Sequence, residues 1–424
     1  MLAPSTTHPI GGLPGGKALR RAGAEGERAR VGAYVHFPWC LAKCPYCDFV
    51  SFVTPEIDHR GYADAVLREI EARAGAHGEG ALESIFFGGG TPSLWDAREL
   101  GRVLQGVRGA FGAGSAGTDE LEITVECNPT SLDQERATAL LRAGVTRVSI
   151  GVQSLRDERL KFLGRLHDAT GAVAAVRDAQ RAGVGRISAD LIFGLPGQSP
   201  EESRGEALEL VGLGLSHVSC YQLTIEPGTR FGELARRGRL PLADEGAVAE
   251  GFLAIDEALT AAGFGHYEVS NYARAGQEAR HNLGYWRGDD YVGLGCAAYG
   301  CARVAGDAGE AARGQRWRNI PGPDAYVEAT RTPVGDRIAA THESVEPLDA
   351  ETLLRERLML GLRIAEGIDL ERAGRELGVA GFTAERERAV AWLEGRGRIV
   401  REGGVLRVPR GAWLWTDDTA ARLF

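Results

Sequence analysis

Three cysteines fall within eight positions of this chain, Cys40-Leu41-Ala42-Lys43-Cys44-Pro45-Tyr46-Cys47, with the spacing Cys-x3-Cys-x2-Cys. A cubane iron-sulfur cluster normally takes four cysteine ligands, so three thiolates on a [4Fe-4S] core leave one iron able to accept a small bidentate ligand. The competing reading is structural zinc, with His36 or His59 as a fourth ligand. Zinc sites usually present a second ligand pair, and the sequence has none at such spacing. Cys127, Cys220, Cys296 and Cys301 are scattered in apolar surroundings and read as small buried hydrophobes.

At 424 residues the chain exceeds one ordinary core, which predicts two or three domains, although a barrel can run past about 200 residues as one unit. Charged residues at 25% and apolar ones at 44% are the balance of a soluble globular protein. A net charge of -9 argues against a general nucleic-acid binder, which carries a basic footprint. No amino-terminal segment joins a basic start to an apolar run, so no secretory signal is expected. The longest uncharged run, Val211 to Ile225, is too short and too polar to span a bilayer. The expected location is the cytoplasm, with a peripheral membrane contact left open.

Residues 1–30 are rich in Gly, Ala, Pro and Arg without apolar periodicity and read as a disordered tail. Strand-like runs then recur at 33–37, 84–87, 121–126, 147–152, 187–193 and 217–225, separated by helical patterns of crossover length. This rhythm predicts six parallel βα units, an α/β fold of partial (β/α)6 TIM type. Ser199-Pro200-Glu201-Glu202 is a capping box with proline at the first helical position, and Ser131-Leu132-Asp133-Gln134 repeats the pattern before a helix ending near Gly144. Functional groups of parallel barrels sit at the carboxyl ends of the strands, so the strand tips should converge on one face. Six units instead of eight leave an open side that suits a large, flat substrate.

Those tips are chemically distinctive. The second strand ends Gly88-Gly89-Gly90-Thr91-Pro92, whose glycines let backbone approach a ligand closely. Glu126 ends the apolar third strand, a costly position unless a cationic ligand pairs with it. Gln153 follows the fourth strand, Arg165 lies shortly beyond, and Asp190 is in the fifth. Each of these three alone reads as a structural hydrogen-bonding residue.

Taken in order and spacing, the cysteine loop, the Gly-Gly-Thr-Pro tip and Glu126, Gln153, Arg165 and Asp190 resemble the coproporphyrinogen-oxidase-like branch of the radical S-adenosylmethionine (SAM) proteins, the HemN/HemW group. The likeness runs from Tyr34 through at least Gly300. It implies a [4Fe-4S] cluster on Cys40, Cys44 and Cys47, and SAM contacted by Tyr34, Gly89 and Glu126. The oxidase of this group binds a second SAM, and the positions matching that site are Tyr46, Gly90, Thr91, Gln153, Arg165 and Asp190. The oxidase motif also carries a further cysteine two positions after the third; here Phe49 stands there, a departure that favours the chaperone type.

Beyond the barrel, His281-Asn282-Leu283-Gly284-Tyr285-Trp286 resembles the HNxxYW signature tied to haem binding in that type. An imidazole can ligate iron axially, and Tyr and Trp present flat apolar faces to a macrocycle. This makes His281, Asn282, Tyr285 and Trp286 the haem-site candidates, with His266 as a competing histidine. From about 345, three helical patterns and a hairpin turning at Gly403-Gly404 read as an α+β, winged-helix-like domain. Its charges are nearly balanced, which favours a supporting domain over a DNA-binding one.

The expected organisation is therefore a tail (1–30), a radical SAM partial barrel (31–240), an extension carrying HNxxYW (241–344) and a HemN C-terminal-like domain (345–424). The function that the resemblance implies is a haem chaperone delivering haem to haem-requiring respiratory proteins. The alternative is oxygen-independent coproporphyrinogen III dehydrogenation by radical SAM chemistry.

Overall fold

The computed structural model describes residues 30–74, 81–112, 121–304 and 311–424; of the tail predicted over 1–30, residues 1–29 lie outside them, and Arg30 is instead the first residue of a strand. Six strands, β1 (Arg30–Phe37), β2 (Ala81–Gly89), β3 (Glu122–Cys127), β4 (Arg147–Gln153), β5 (Arg186–Phe193) and β6 (His217–Gln222), pair in parallel in chain order, as the sequence rhythm predicts. The last ends three residues short of the apolar run, and Leu223 N–H closes the pairing by donating to Phe193 O at the end of β5 at 2.9 Å.

The sheet does not stop at six strands. On the β6 edge lie β7 (Gly265–Glu268) and β8 (Asn271–Ala273), with β8 antiparallel to β6. Beside β1 runs β9 (Asp290–Leu294), parallel to it, followed by antiparallel β10 (Tyr299–Val304), β11 (Arg313–Asn319) and β12 (His342–Leu348). The sequence reading passed over these edge strands, of which β7, β8 and β9 are short while β10, β11 and β12 are as long as β3, β4 and β6.

Strand period two sorts the side chains. Ala33, Val35, Phe37, Ile85, Phe87 and Val125 are fully buried under the outer helices, where Phe37 stacks on Trp95 at 5.0 Å and meets Tyr62 edge-on. The alternate positions, Gly32, Tyr34 and His36 on β1, Ser84, Phe86 and Gly88 on β2, and Glu122, Thr124 and Glu126 on β3, face the lumen. A fully buried carboxylate, Glu69, ties the extension to the barrel. It accepts from Arg73 Nε at 2.7 Å, Asn319 Nδ2 at 2.8 Å, Gly295 N–H at 2.9 Å and Tyr326 O–H at 2.6 Å. An uncompensated charge there would be expensive, so the four donors are what allow it.

Helix starts follow their caps. Ser199 accepts from Glu202 N–H at 3.2 Å while Glu202 reaches back to Ser199 N–H at 2.8 Å, completing the expected box. Ser131 does not cap its helix. Its hydroxyl is engaged with Ser93 at 2.6 Å, and Asp133, two residues on, accepts from Arg136 N–H at 2.7 Å as the cap of Gln134–Ala143. The C-terminal unit has the predicted three helices, Ala350–Gly361, Leu370–Leu377 and Ala384–Glu394, and the hairpin Val400–Glu402/Val405–Arg407. Its core of Leu354, Leu358, Leu362, Leu370, Leu393 and Leu406 is separate from that of the barrel.

Candidate functional site

The cysteine loop leaves β1 at the carboxyl-end mouth of the lumen and is laced in place by backbone. Cys40 N–H donates to Phe52 O at 3.0 Å, Phe52 N–H to Pro38 O at 2.7 Å, and Cys47 N–H to Cys44 O at 3.2 Å. The β2 tip crosses it: Gly90 N–H reaches Phe37 O at 2.7 Å and Thr91 N–H reaches Trp39 O at 2.8 Å. Glycine is required at this crossing. A Cβ on Gly89, whose φ is +105°, would lie 2.4 Å from the His36 ring, and one on Gly90 would lie 2.6 Å from Trp39 O.

Cys40, Cys44 and Cys47 are free, half-buried thiols. Thr91 Oγ1 donates to Cys40 Sγ at 3.4 Å, and Arg165 Nη1 to Cys44 Sγ, also at 3.4 Å. Desolvation raises the Cys40 thiol and pushes Cys47 up to about 11. Among the described residues no three His, Cys, Asp or Glu side chains converge on one ion. A cubane asks for something different, one thiolate on each of three separate irons, with donors beside the sulfurs to tune it. Three free thiols on a backbone-pinned loop, two with such donors, fit that group. The thiols must release their protons as they ligate.

His36 escaped the sequence reading except as a zinc ligand. Both of its nitrogens are engaged, one with Val50 O at 2.9 Å and the other with Tyr34 O–H at 3.0 Å. Burial lowers it to about 4, so it is neutral. The imidazole clasps the far end of the cysteine loop and orients Tyr34. Its signal in the sequence was register alone, two residues beyond Tyr34 on the same face.

The residues matched to SAM contacts come together inside this mouth. Glu126 Oε2 accepts from Gly89 N–H at 3.2 Å. Burial, and then the nearby Asp190 carboxylate, push Glu126 up to about 8, while Gly89 N–H pulls the other way. Burial also raises Asp190, against hydrogen bonds from Ser219 and from Ser149, whose hydroxyl is 3.2 Å away. Two adjacent lumen carboxyls raised by burial, Asp190 offset only in part by the charges of Arg147 and Arg165, favour a cationic ligand.

Gln153 has φ +67°, a left-handed conformation rare outside glycine, at a bulge where β4 slips against β5. A Cβ on Gly151 would meet Gln153 Nε2 at 2.8 Å and Arg165 Nη2 at 3.4 Å, so these side chains converge there, and Arg165 also donates to Gly151 O at 3.0 Å. Tyr46 lies against Arg165 and Cys44, its phenol raised by burial. Behind these tips, fully buried Glu206 accepts from Ser154 Oγ at 2.5 Å, Leu155 N–H at 2.7 Å, Arg159 Nη1 at 2.5 Å and Gln198 Nε2 at 3.2 Å. No sequence signal marked it, because glutamate inside a polar-looking helix usually faces water.

The HNxxYW segment occupies the opposite end of the same lumen. It forms the helix Arg280–Arg287, which plugs the amino-terminal mouth. Its first turn has no side-chain cap of its own; Glu122 supplies one, Oε1 accepting from His281 N–H at 3.1 Å while Oε2 faces Arg186 at 3.2 Å. His281 is buried, its Nδ1 2.8 Å from Ser84 Oγ and its ring stacked on Phe86 at 4.9 Å. Desolvation lowers it to about 3. Its Nε2 is enclosed without a hydrogen-bond partner.

A cavity of about 400 Å³ opens below the plug, lined among others by His281, Tyr285, Tyr291, Arg30, Arg280 and Arg287. Asn282 and Trp286 do not line it, and Trp286 turns toward the buried Glu268 carboxyl. The competing histidine, His266, lies elsewhere. It bonds Asp256 at 2.9 Å and is packed between Tyr272 and Trp413 where the C-terminal unit docks.

Comparison with known proteins supports the family reading. The model of the radical SAM superfamily matches residues 34–210, and that of the HemN C-terminal domain matches 348–415. A heme chaperone HemW of Mycobacterium tuberculosis is 35% identical over 365 residues, 85% of this chain and 87% of the relative. The chain belongs to the HemW family of radical SAM proteins. The heme chaperone HemW of Escherichia coli K12 is 42% identical over 272 residues, 64% of this chain and 70% of the relative. In structure, the E. coli coproporphyrinogen III oxidase HemN superposes with a TM-score of 0.74 at 20% identity, covering 93% of this chain and 90% of that one, so the two share a fold. Among the described residues no helix is long and apolar enough to cross a membrane.

Proposed function

We propose that this protein is a haem chaperone. It holds a [4Fe-4S] cluster on Cys40, Cys44 and Cys47, binds SAM between the Gly89–Thr91 tip and Glu126, and carries haem through the HNxxYW helix to haem-requiring respiratory proteins in the cytoplasm or at the membrane surface. The relatives named heme chaperone HemW support the reading.

The observation that carries it is the state of His281. Burial keeps the imidazole neutral, the ligating form, and when Nδ1–H donates to Ser84 Oγ the Nε2 lone pair is left for a metal. Bound at three thiolates, a cubane cluster supplies an iron open to the amino and carboxylate groups of SAM. Around it the protein's own groups have separable tasks. Thr91 and Arg165 donate to the cysteine sulfurs, His36 fixes Tyr34, and Glu126 and Asp190 offer negative charge to a cationic ligand.

The test is an anaerobic haem titration of the cluster-reconstituted protein, followed by its absorption spectrum, beside His281→Ala. Loss of affinity in the variant with cluster content intact is the expected result; equal affinity would move the haem site elsewhere. Coproporphyrinogen III dehydrogenation is the second reading, favoured by the strained Gln153 gathered with Arg165 at the strand tips. Protoporphyrinogen formed at catalytic turnover with SAM and a low-potential reductant would overturn the chaperone reading.

A further inference from the structure

The two ends of the lumen are joined by a column of aromatic rings. Tyr34, at the cysteine-loop end, stacks on Phe86 with centroids 6.2 Å apart and planes 19° apart. Phe86 stacks in turn on His281 at 4.9 Å and 18°. His281 meets Tyr285 edge-on at 4.8 Å, and Tyr285 meets Tyr291 at 4.6 Å. Among the described residues Phe86 is the ring that stacks on both Tyr34 and His281, and neither its position nor its residue type belongs to any motif above.

The column is flanked by glycines that leave no slack. A Cβ on Gly88 would come within 2.9 Å of both Phe86 Cε1 and Tyr34 Cε2, and within 3.2 Å of Glu126 Oε2. A Cβ on Gly32 would lie 3.3 Å from the His281 ring. Close-packed groups transmit displacement instead of absorbing it. His281 Nε2 is enclosed, so an iron in the cavity that His281 lines can reach it only when the imidazole moves, with or without its helix, and that movement breaks its stack on Phe86.

We propose that Phe86 is a positioning residue that couples the two ends: a ligand seated against Tyr34 and Glu126 clamps Phe86 onto His281, holds the plug closed, and so weakens haem binding. This rests on the function proposed above and adds to it a means of release. A ligand shifts a two-state element only by its differential affinity for the two states, and the coupling is reciprocal, so haem must weaken SAM binding by the same factor. The state that binds haem is the one in which the imidazole has left the ring, and the state that SAM favours is the one in which it has not.

The experiment is an absorption-monitored haem titration of the cluster-reconstituted protein with and without saturating SAM, for wild type, His281→Ala, Ser84→Ala and Phe86→Leu. In wild type SAM should raise the haem dissociation constant by about fivefold or more, the lower end of ordinary couplings. In Phe86→Leu, which keeps an apolar side chain but removes the stack, the two curves should coincide. Ser84→Ala removes the hydrogen bond to His281 Nδ1 but leaves the Tyr34, Phe86 and His281 rings in place, so whatever it does to haem affinity the ratio between the two conditions should be preserved. Cluster content and melting temperature check that each variant is folded, and Phe86→Met replaces the leucine variant if that one is not. A SAM-independent wild-type affinity, tighter haem binding with SAM, or an undiminished ratio in Phe86→Leu overturns the coupling. Haem binding unaffected in His281→Ala instead overturns the site assignment beneath it.

Discussion

Replacing Glu126 by glutamine should flatten a pH dependence of stability that this carboxyl imposes. In the fold it is held protonated up to about 8, against an ordinary value of 4.5, first by burial and then by the Asp190 carboxylate. The native state therefore keeps a proton that the unfolded chain has already released. Stability from this group is full below 4.5 and is lost as the pH rises through about 8. Well inside that window each pH unit removes about 1.4 kcal/mol, and the slope falls off near the folded value, so the step from pH 6 to pH 8 costs roughly 2 kcal/mol. In a chain of this size that corresponds to a melting shift of about 2–3 °C. Glutamine can still accept from Gly89 N–H but has no charge to desolvate. Melting curves of the reconstituted wild type and Glu126→Gln across pH 6 to 8, without SAM, should therefore diverge toward alkaline pH. Saturating SAM, presenting a cationic group to Glu126, should remove most of the wild-type slope and leave the variant unchanged. Curves that stay parallel across the window would refute the account of a charge-starved lumen.

Two further outcomes are expected. His36→Leu should leave the barrel folded but free the Val50 end of the cysteine loop and the Tyr34 hydroxyl; the cluster should be lost faster to a chelator, and SAM affinity should fall, both measurable on one preparation, whereas unchanged chelation kinetics would remove His36 from the site. Glu206→Ala leaves Arg159 without its buried partner and should cost about 3–5 kcal/mol in denaturant unfolding. A loss near that of an exposed ion pair, below about 1 kcal/mol, would show that solvent already screens it.

Much of the site was legible because its residues lie in order along the chain. The cysteine spacing, the glycine tip and Glu126 each sit at a strand end, and parallel strands in sequence order must bring their ends to one mouth. Capping was readable where a single residue decided it, as at Ser199. It failed at Ser131, because the hydroxyl's partner, Ser93, comes from another βα unit. The edge strands on both sides of the six were missed for a similar reason: Asn271–Ala273 is too short to show alternation, Arg313–Asn319 and His342–Leu348 are long enough but too polar to show an apolar face, and all become strands by pairing with a neighbour already there.

The sequence by itself determined the six-unit rhythm, the thiol loop and the chemistry of the strand tips, since local periodicity and spacing suffice for each. Only the tertiary structure decided what fills the lumen from below. His281 bonds Ser84 from 197 positions away in the chain, its helix is capped by a glutamate of β3, and its ring completes a stack begun at Tyr34. Strand period tells which side chains face inward, but which distant helix packs against them is set by the shape and buried polarity of the whole barrel, and that information is not carried by any single stretch of chain.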